Sequence, residues 1–182
     1  MTIRPLAAFA GSLVLLAGTA ACTTMSDTQG MAGDTIGTAS LAFANGSPAG
    51  TAMLMRSGDG YSIMVQARGL TPGALGFHLH TTGRCDAPDF TSAGGHLNPG
   101  DRSHGRLSAQ GPHLGDLTNL QVGSDGTVTA TVEIPNVRAD ALAQIFDTDG
   151  TAVMIHAGPD DYRSDPAGDA GSRVACGVLV RS

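Results

Sequence analysis

From Thr38 to the C-terminus, short apolar runs alternate with glycine-bearing turns, and no 12-residue segment carries a convincing helical periodicity. That pattern restricts the chain to an all-β fold. Thr127 to Ile134 is the cleanest case: Val128, Ala130, Val132 and Ile134 point one way and Thr127, Thr129, Thr131 and Glu133 the other, as side chains on a half-buried strand must. Tyr61 to Arg68 is a second strand, and Gly58-Asp59-Gly60 and Ser124-Asp125-Gly126 are the turn signals ahead of the two. Further strands are predicted over 39–44, 50–56, 75–81, 151–156 and 174–180, with a short helical turn over 139–146. Seven or eight strands at this spacing build an antiparallel sandwich or barrel. Two loops are too long for a simple meander, Thr81 to Pro112 and Ala157 to Arg173, and loops of that length need something to order them.

Residues 1–22 carry the pattern of an export signal. Arg4 gives the positive end, Leu6 to Leu16 is an apolar run too short to span a bilayer, and Ala17-Gly18-Thr19-Ala20-Ala21 are small. Cys22 follows at once, as in a bacterial lipoprotein signal, although Thr19 stands where such signals usually carry leucine; the alternative is ordinary cleavage after Ala21, leaving a free thiol. Residues 23–37 are small and polar and read as a flexible tether to a folded domain over 38–182. The chain has three cysteines, Cys22, Cys85 and Cys176. Export favours a Cys85–Cys176 disulfide and leaves Cys22 as the odd one, which a lipid would occupy. The expected location is the periplasm, on a lipid anchor. All ten basic residues are arginine and the net charge is −6, which argues against nucleic acid or anionic lipid as a partner.

All six histidines fall between His78 and His156. A lone histidine is more often a hydrogen-bonded residue at a strand edge than a ligand, but a complete cluster with metal-ligand spacing is not explained that way. His78 and His80 lie two apart on a strand and share a face. His156 ends another strand, and a site of three or four imidazoles suits copper or zinc. His96, His104, His113 and Asp116, spaced by eight, nine and three, offer three imidazoles and one carboxylate from the long loop, a closed set suited to structural zinc.

The segments Gly76-Phe77-His78-Leu79-His80, Gly94-Gly95-His96-Leu97-Asn98-Pro99, His104-Gly105, His113-Leu114-Gly115-Asp116-Leu117 and Gly171-Ser172-Arg173-Val174-Ala175-Cys176-Gly177 resemble the copper/zinc superoxide dismutase family, in its bacterial exported branch. The resemblance covers about 40–182, and every ligand position is occupied in order. It implies an eight-stranded Greek-key barrel, with copper held by His78, His80, His96 and His156 and zinc by His96, His104, His113 and Asp116. His96 would then be a shared imidazolate bridge that leaves copper and carries a proton during turnover. It further implies that Asp160 links a copper histidine to a zinc histidine, that Arg173 guides the anionic substrate, and that Cys85–Cys176 pins the long loop to the last strand. The implied reaction is disproportionation of superoxide to O₂ and H₂O₂. The resemblance leaves monomer and homodimer open.

Two other readings compete. A non-catalytic copper- or zinc-holding envelope protein would need the ligands but not Arg173 or Asp160. A zinc hydrolase would need a general base, and Glu133 is the only glutamate. The loop 157–173 is rich in aspartate and contains no lysine, so steering of the anion is expected to be weak, or to rest on Arg84, Arg102 or Arg106.

Overall fold

A computed structural model describes residues 1–2, 34–135, 137 and 139–182. The chain divides into two compact units, Met1–Gly30 and Met31–Ser182. Of the first, Met1 and Thr2 are described and carry no regular secondary structure. The export-signal residues 3–22, with Cys22, and residues 23–33 of the tether lie outside the described residues.

Among its described residues the second unit has ten strands: β1 (Thr35–Phe43), β2 (Pro48–Ser57), β3 (Gly60–Ala67), β4 (Gly73–Leu75), β5 (Phe77–His80), β6 (Leu120–Val122), β7 (Val128–Glu133), β8 (Ala152–His156), β9 (Arg173–Val178) and β10 (Val180–Arg181). One five-residue helix, α1 (Ala141–Ile145), falls inside the segment expected to turn helically. The main sheet runs β5-β8-β9-β1-β2-β3-β7, with β10 beside β1, and its pairings are antiparallel. β4 leads into β5 and β6 into β7, so the small β4–β6 pair bridges the two ends of this curled sheet. The arrangement is the all-β, antiparallel barrel read from the sequence.

Alternation fixes register, because a slip of one residue would turn every core side chain outward. In the β2–β3–β7 register, Leu54 faces Ile63 and Ile63 faces Val132, all buried, while Thr51, Gln66 and Thr129 form an exposed row. Ala39, Leu41, Phe77, Leu79, Val153, Ile155 and Ala175 complete the same core. Each large apolar side chain buried there contributes about 1.5–3 kcal/mol.

Two boundaries differ from the sequence expectation. β1 begins at Thr35, so Thr35 and Gly37, assigned by composition to the tether, pair instead with Met55 and Leu54. The predicted strand 75–81 is divided at Gly76, whose N–H donates to Gly158 O while its carbonyl accepts from His156 N. A Cβ on Gly76 would lie 2.8 Å from the Ala170 Cβ, so the crossing admits glycine alone without a shift.

This break places the site. Phe77 and Leu79 of β5 point into the core, and His78 and His80 point the other way, where the long loop folds back over them. Leu79 N donates to Gly115 O, Leu97 N to Leu79 O, and Gly115 N to Leu97 O, at 2.8–3.0 Å. Isolated bridges then set His78 opposite Asp116 and His80 opposite His96. Cys85 and Cys176 form the expected disulfide, S–S 2.02 Å, tying the start of this loop to β9.

Candidate metal centre

All six histidines, with Asp116 and Asp160, are buried in one region. His78 and His80 come from β5; His156 ends β8 at a register irregularity against β9; His96, His104, His113 and Asp116 come from the loop between β5 and β6. They form two groups, His78/His80/His96/His156 and His96/His104/His113/Asp116, and in each the ligand-capable atoms lie within 4.8 Å of one another. His96 belongs to both.

The hydrogen bonds decide which nitrogen each ring turns inward. His78 Nε2–H donates to Asp160 Oδ2 at 2.9 Å, His80 Nδ1–H to Gly94 O at 3.0 Å and His156 Nδ1–H to Gly171 O at 3.1 Å. In the second group, His104 Nε2–H donates to Asp160 Oδ1 at 2.9 Å and His113 Nε2–H to Arg102 O at 3.0 Å. Five of the six rings are therefore oriented by an acceptor outside the ligand set, as ligating imidazoles usually are. His96 has no such acceptor: its Nδ1 lies 2.8 Å from Asp116 Oδ1, and its Nε2 faces the other group.

The inward atoms of the first group are His78 Nδ1, His80 Nε2, His96 Nε2 and His156 Nε2, all buried and without a hydrogen-bond partner among the described residues. Unpartnered buried nitrogens cost roughly 1–3 kcal/mol each, and four converging on one point fit a ligand for imidazole, copper or zinc above all. In the second group the Nδ1 atoms of His96, His104 and His113 stand 2.8–3.1 Å from the same Asp116 oxygen. Zinc bonds of about 2.0–2.1 Å in a tetrahedron imply ligand spacings near 3.3 Å, so this set fits zinc after a small expansion. His104 Nδ1 is close enough to Asp116 for an ion pair but makes no hydrogen bond to it, as expected of an atom aimed at the centre of the set.

Electrostatics divide the groups further. Burial lowers His78 to about 3, His80 to about 2 and His156 to about 4, with the neighbouring imidazoles adding to the effect. These rings are neutral at pH 7, and no proton competes with a metal for them. Burial also opposes charge on His104, but the adjacent Asp116 carboxylate and the hydrogen bond to Asp160 outweigh it and raise the ring to about 9. Burial would push Asp116 and Asp160 up, yet their bonds to the histidines hold both carboxyls well below the usual range. Asp116 Oδ2 is fixed by the N–H groups of Gly105 and His113 at 2.8 and 2.9 Å.

Asp160 thus joins the groups through His78 and His104. Asn119 holds it in turn, donating from Nδ2 to Asp160 O and accepting from Asp160 N, each at 2.9 Å. Sequence reasoning does not reach Asn119, because a single asparagine in a loop has no distinguishing signal. Arg173 sits at the start of β9, with Nη1 donating to Phe90 O and Nη2 to Gly94 O, both at 2.6 Å. It lines, with His80 and His96, an open cavity of about 390 Å³. Arg84 is remote from this cavity in role: its exposed guanidinium pairs with Asp86.

With this geometry in place, comparison with known proteins gives a consistent result. The family model described as "Copper/zinc superoxide dismutase (SODC)" matches residues 49–179. The chain is 46% identical over 137 residues to Superoxide dismutase [Cu-Zn] 1 of Aquifex aeolicus, covering 74% of this chain and 81% of that one. Among solved structures it is similar to a SOD-like protein from Bacillus subtilis, at 39% identity and TM-score 0.74 over 79% of this chain and 97% of that one. It is also similar to the Cu/Zn superoxide dismutase of Brucella abortus, at 31% identity and TM-score 0.66 over 79% and 98%.

Proposed function

The chain belongs to the copper/zinc superoxide dismutase family, and from that premise we propose that it disproportionates superoxide at copper held by His78, His80, His96 and His156, beside zinc held by His96, His104, His113 and Asp116. The observation that carries this reading is the inward turn of the nitrogens: five rings are each tied outward by one nitrogen, and His96 presents one nitrogen to each group.

Disproportionation removes one electron from a first superoxide, giving O₂, and adds one to a second, which with two protons gives H₂O₂. Copper, when bound, supplies the one-electron couple, and zinc, which has no redox chemistry, supplies fixed positive charge. The side chains do the rest. His96 Nε2 is the atom that can take and return a proton, because its Nδ1 stays directed at Asp116. Asp160 keeps His78 and His104 in the tautomers that leave Nδ1 free to ligate. Arg173, pinned through two N–H groups, keeps further donors for a small anion in the cavity shared with His80 and His96.

Copper and zinc analysis of the purified mature protein, with a superoxide assay run with and without cyanide, tests the proposal. One copper and one zinc per chain with cyanide-sensitive activity supports it; bound metal without activity supports a metal-holding role instead. Arg173→Ala should lower kcat/KM by roughly 10–100-fold, since charge-assisted hydrogen bonds are worth about 1.5–3 kcal/mol, while both metals stay bound. Full activity in that variant would remove Arg173 from the mechanism.

We further propose that the enzyme works in the cell envelope, anchored by lipid on Cys22. The charged, apolar and small-residue run before Cys22 supports this, and the Cys85–Cys176 disulfide suits an oxidising compartment. Cys22→Ala should move the protein from the membrane to the soluble fraction and abolish labelling by a fatty-acid analogue; unchanged membrane association would refute the anchor.

A further inference from the structure

The aspartate-rich, lysine-free loop leaves open what besides Arg173 draws an anion to the site. We propose that Arg102 is a second substrate-attracting cation, set at the zinc side of the cavity. This rests on the assignment of copper to the His78/His80/His96/His156 group. The cavity of about 390 Å³ that exposes His80 and His96 is lined by Asn98, Arg102, Asp165 and Arg173 as well, so the two arginines face one space. Asp165 opposes them, but its Oδ1 accepts from His104 N at 2.7 Å and is partly spent on that bond.

The hydrogen bonds that fix Arg102 are made by its backbone. Arg102 N donates to Asn98 Oδ1 at 3.0 Å, and Arg102 O accepts from Asn98 Nδ2 at 2.8 Å and from His113 Nε2–H at 3.0 Å. Its backbone is therefore anchored to a histidine of the zinc-fitting group, while its exposed side chain lies beside Gly100, at the border between this cavity and a neighbouring one. This separates it from the other two arginines the sequence leaves open: Arg84 is paired with Asp86, and Arg106 is exposed and does not line the cavity. A fixed cation beside an open, partly enclosed cavity raises the local concentration of small anions and leaves the chemistry of the ligands untouched.

The test uses the metal-loaded protein, with azide as the probe anion and the copper–azide absorption band as readout. At low ionic strength Arg102→Gln should raise the azide Kd about two- to fivefold, an exposed charge being worth up to about that much. Arg102→Lys should restore most of the affinity. The difference should shrink toward none as salt shortens the screening length below about 10 Å. A backbone role alone would leave the Gln and Lys variants alike. An unchanged Kd in Arg102→Gln, or a loss that salt does not diminish, overturns the proposal. Failure of the wild-type protein to show an azide-sensitive copper band overturns the copper assignment itself, an outcome distinct from the first two.

Discussion

Stripping both metals is expected to lower Tm by roughly 15–30 °C and to leave a protein whose remaining stability falls steeply with acid. The first part follows from mass action. Each metal at about 1,000 times its Kd stabilises by about 4 kcal/mol, and 1 kcal/mol shifts Tm by about 2–4 °C in a chain of this size. The second part follows from the buried rings. His78, His80 and His156 titrate at about 3, 2 and 4 in the folded, metal-free protein because burial disfavours their charge, against about 6.5 when unfolded. Below pH 6.5 the unfolded chain binds protons that the folded one refuses. Stability therefore drops by up to about 1.4 kcal/mol per pH unit for each ring, or about 4 for the three, until the folded values are reached. His104 has the opposite sign: raised to about 9, it contributes fully below pH 6.5 and loses that contribution between 6.5 and 9. The metal-free protein should thus be most stable near pH 6.5. Thermal melts of metal-free and loaded protein between pH 4.5 and 9 check this, and a flat metal-free profile from pH 7 to 5 would contradict it.

Replacing Cys85 and Cys176 together, as Cys85→Ser with Cys176→Ala, should destabilise the loaded protein by roughly 4–5 kcal/mol. The bridge spans 91 residues, and closing a loop of that length removes about this much chain entropy from the unfolded state. A second effect is expected on activity. Cys85 precedes Phe90 and Gly94, whose carbonyls hold Arg173, and Cys176 follows Arg173 by three residues on β9. Gly94 O also accepts from His80 Nδ1–H. Freeing this loop should loosen Arg173 and lower kcat/KM beyond the loss in folded fraction. Denaturant titration and kinetics of the same variant measure both, and a purely structural bridge would change the first alone.

The residues of this centre were legible in the sequence to an unusual degree, and the reason is chemical. Imidazoles are scarce, and H-x-H on a strand fixes two on one face by geometry alone, so His78, His80 and His156 on one side and His96, His104, His113 and Asp116 on the other followed from spacing and strand pattern, while the place of His96 in both groups followed from the family resemblance. Of the acceptors that orient those rings, Asp160 was legible through the family resemblance alone, and the others were not. Gly94, Gly171 and Arg102 serve through backbone carbonyls, which any residue possesses, and Asn119 acts on Asp160 without touching a ligand. An antiparallel sandwich or barrel was legible from alternation in β3 and β7, and the choice of barrel from the family resemblance. The three-residue strands β4 and β6 were not, since three residues hold too little periodicity to register. Nor was the early start of β1, whose polar residues are kept in the sheet by backbone pairing with β2 and β10.

The assignment of the two groups is tested most directly by anomalous diffraction from crystals of the loaded protein, recorded on either side of the copper and zinc absorption edges. Two peaks are expected. The copper peak should lie among His78 Nδ1, His80 Nε2, His96 Nε2 and His156 Nε2, and the zinc peak among the Nδ1 atoms of His96, His104 and His113 and Asp116 Oδ1. A single peak, the two metals exchanged, or His96 in contact with neither would contradict it.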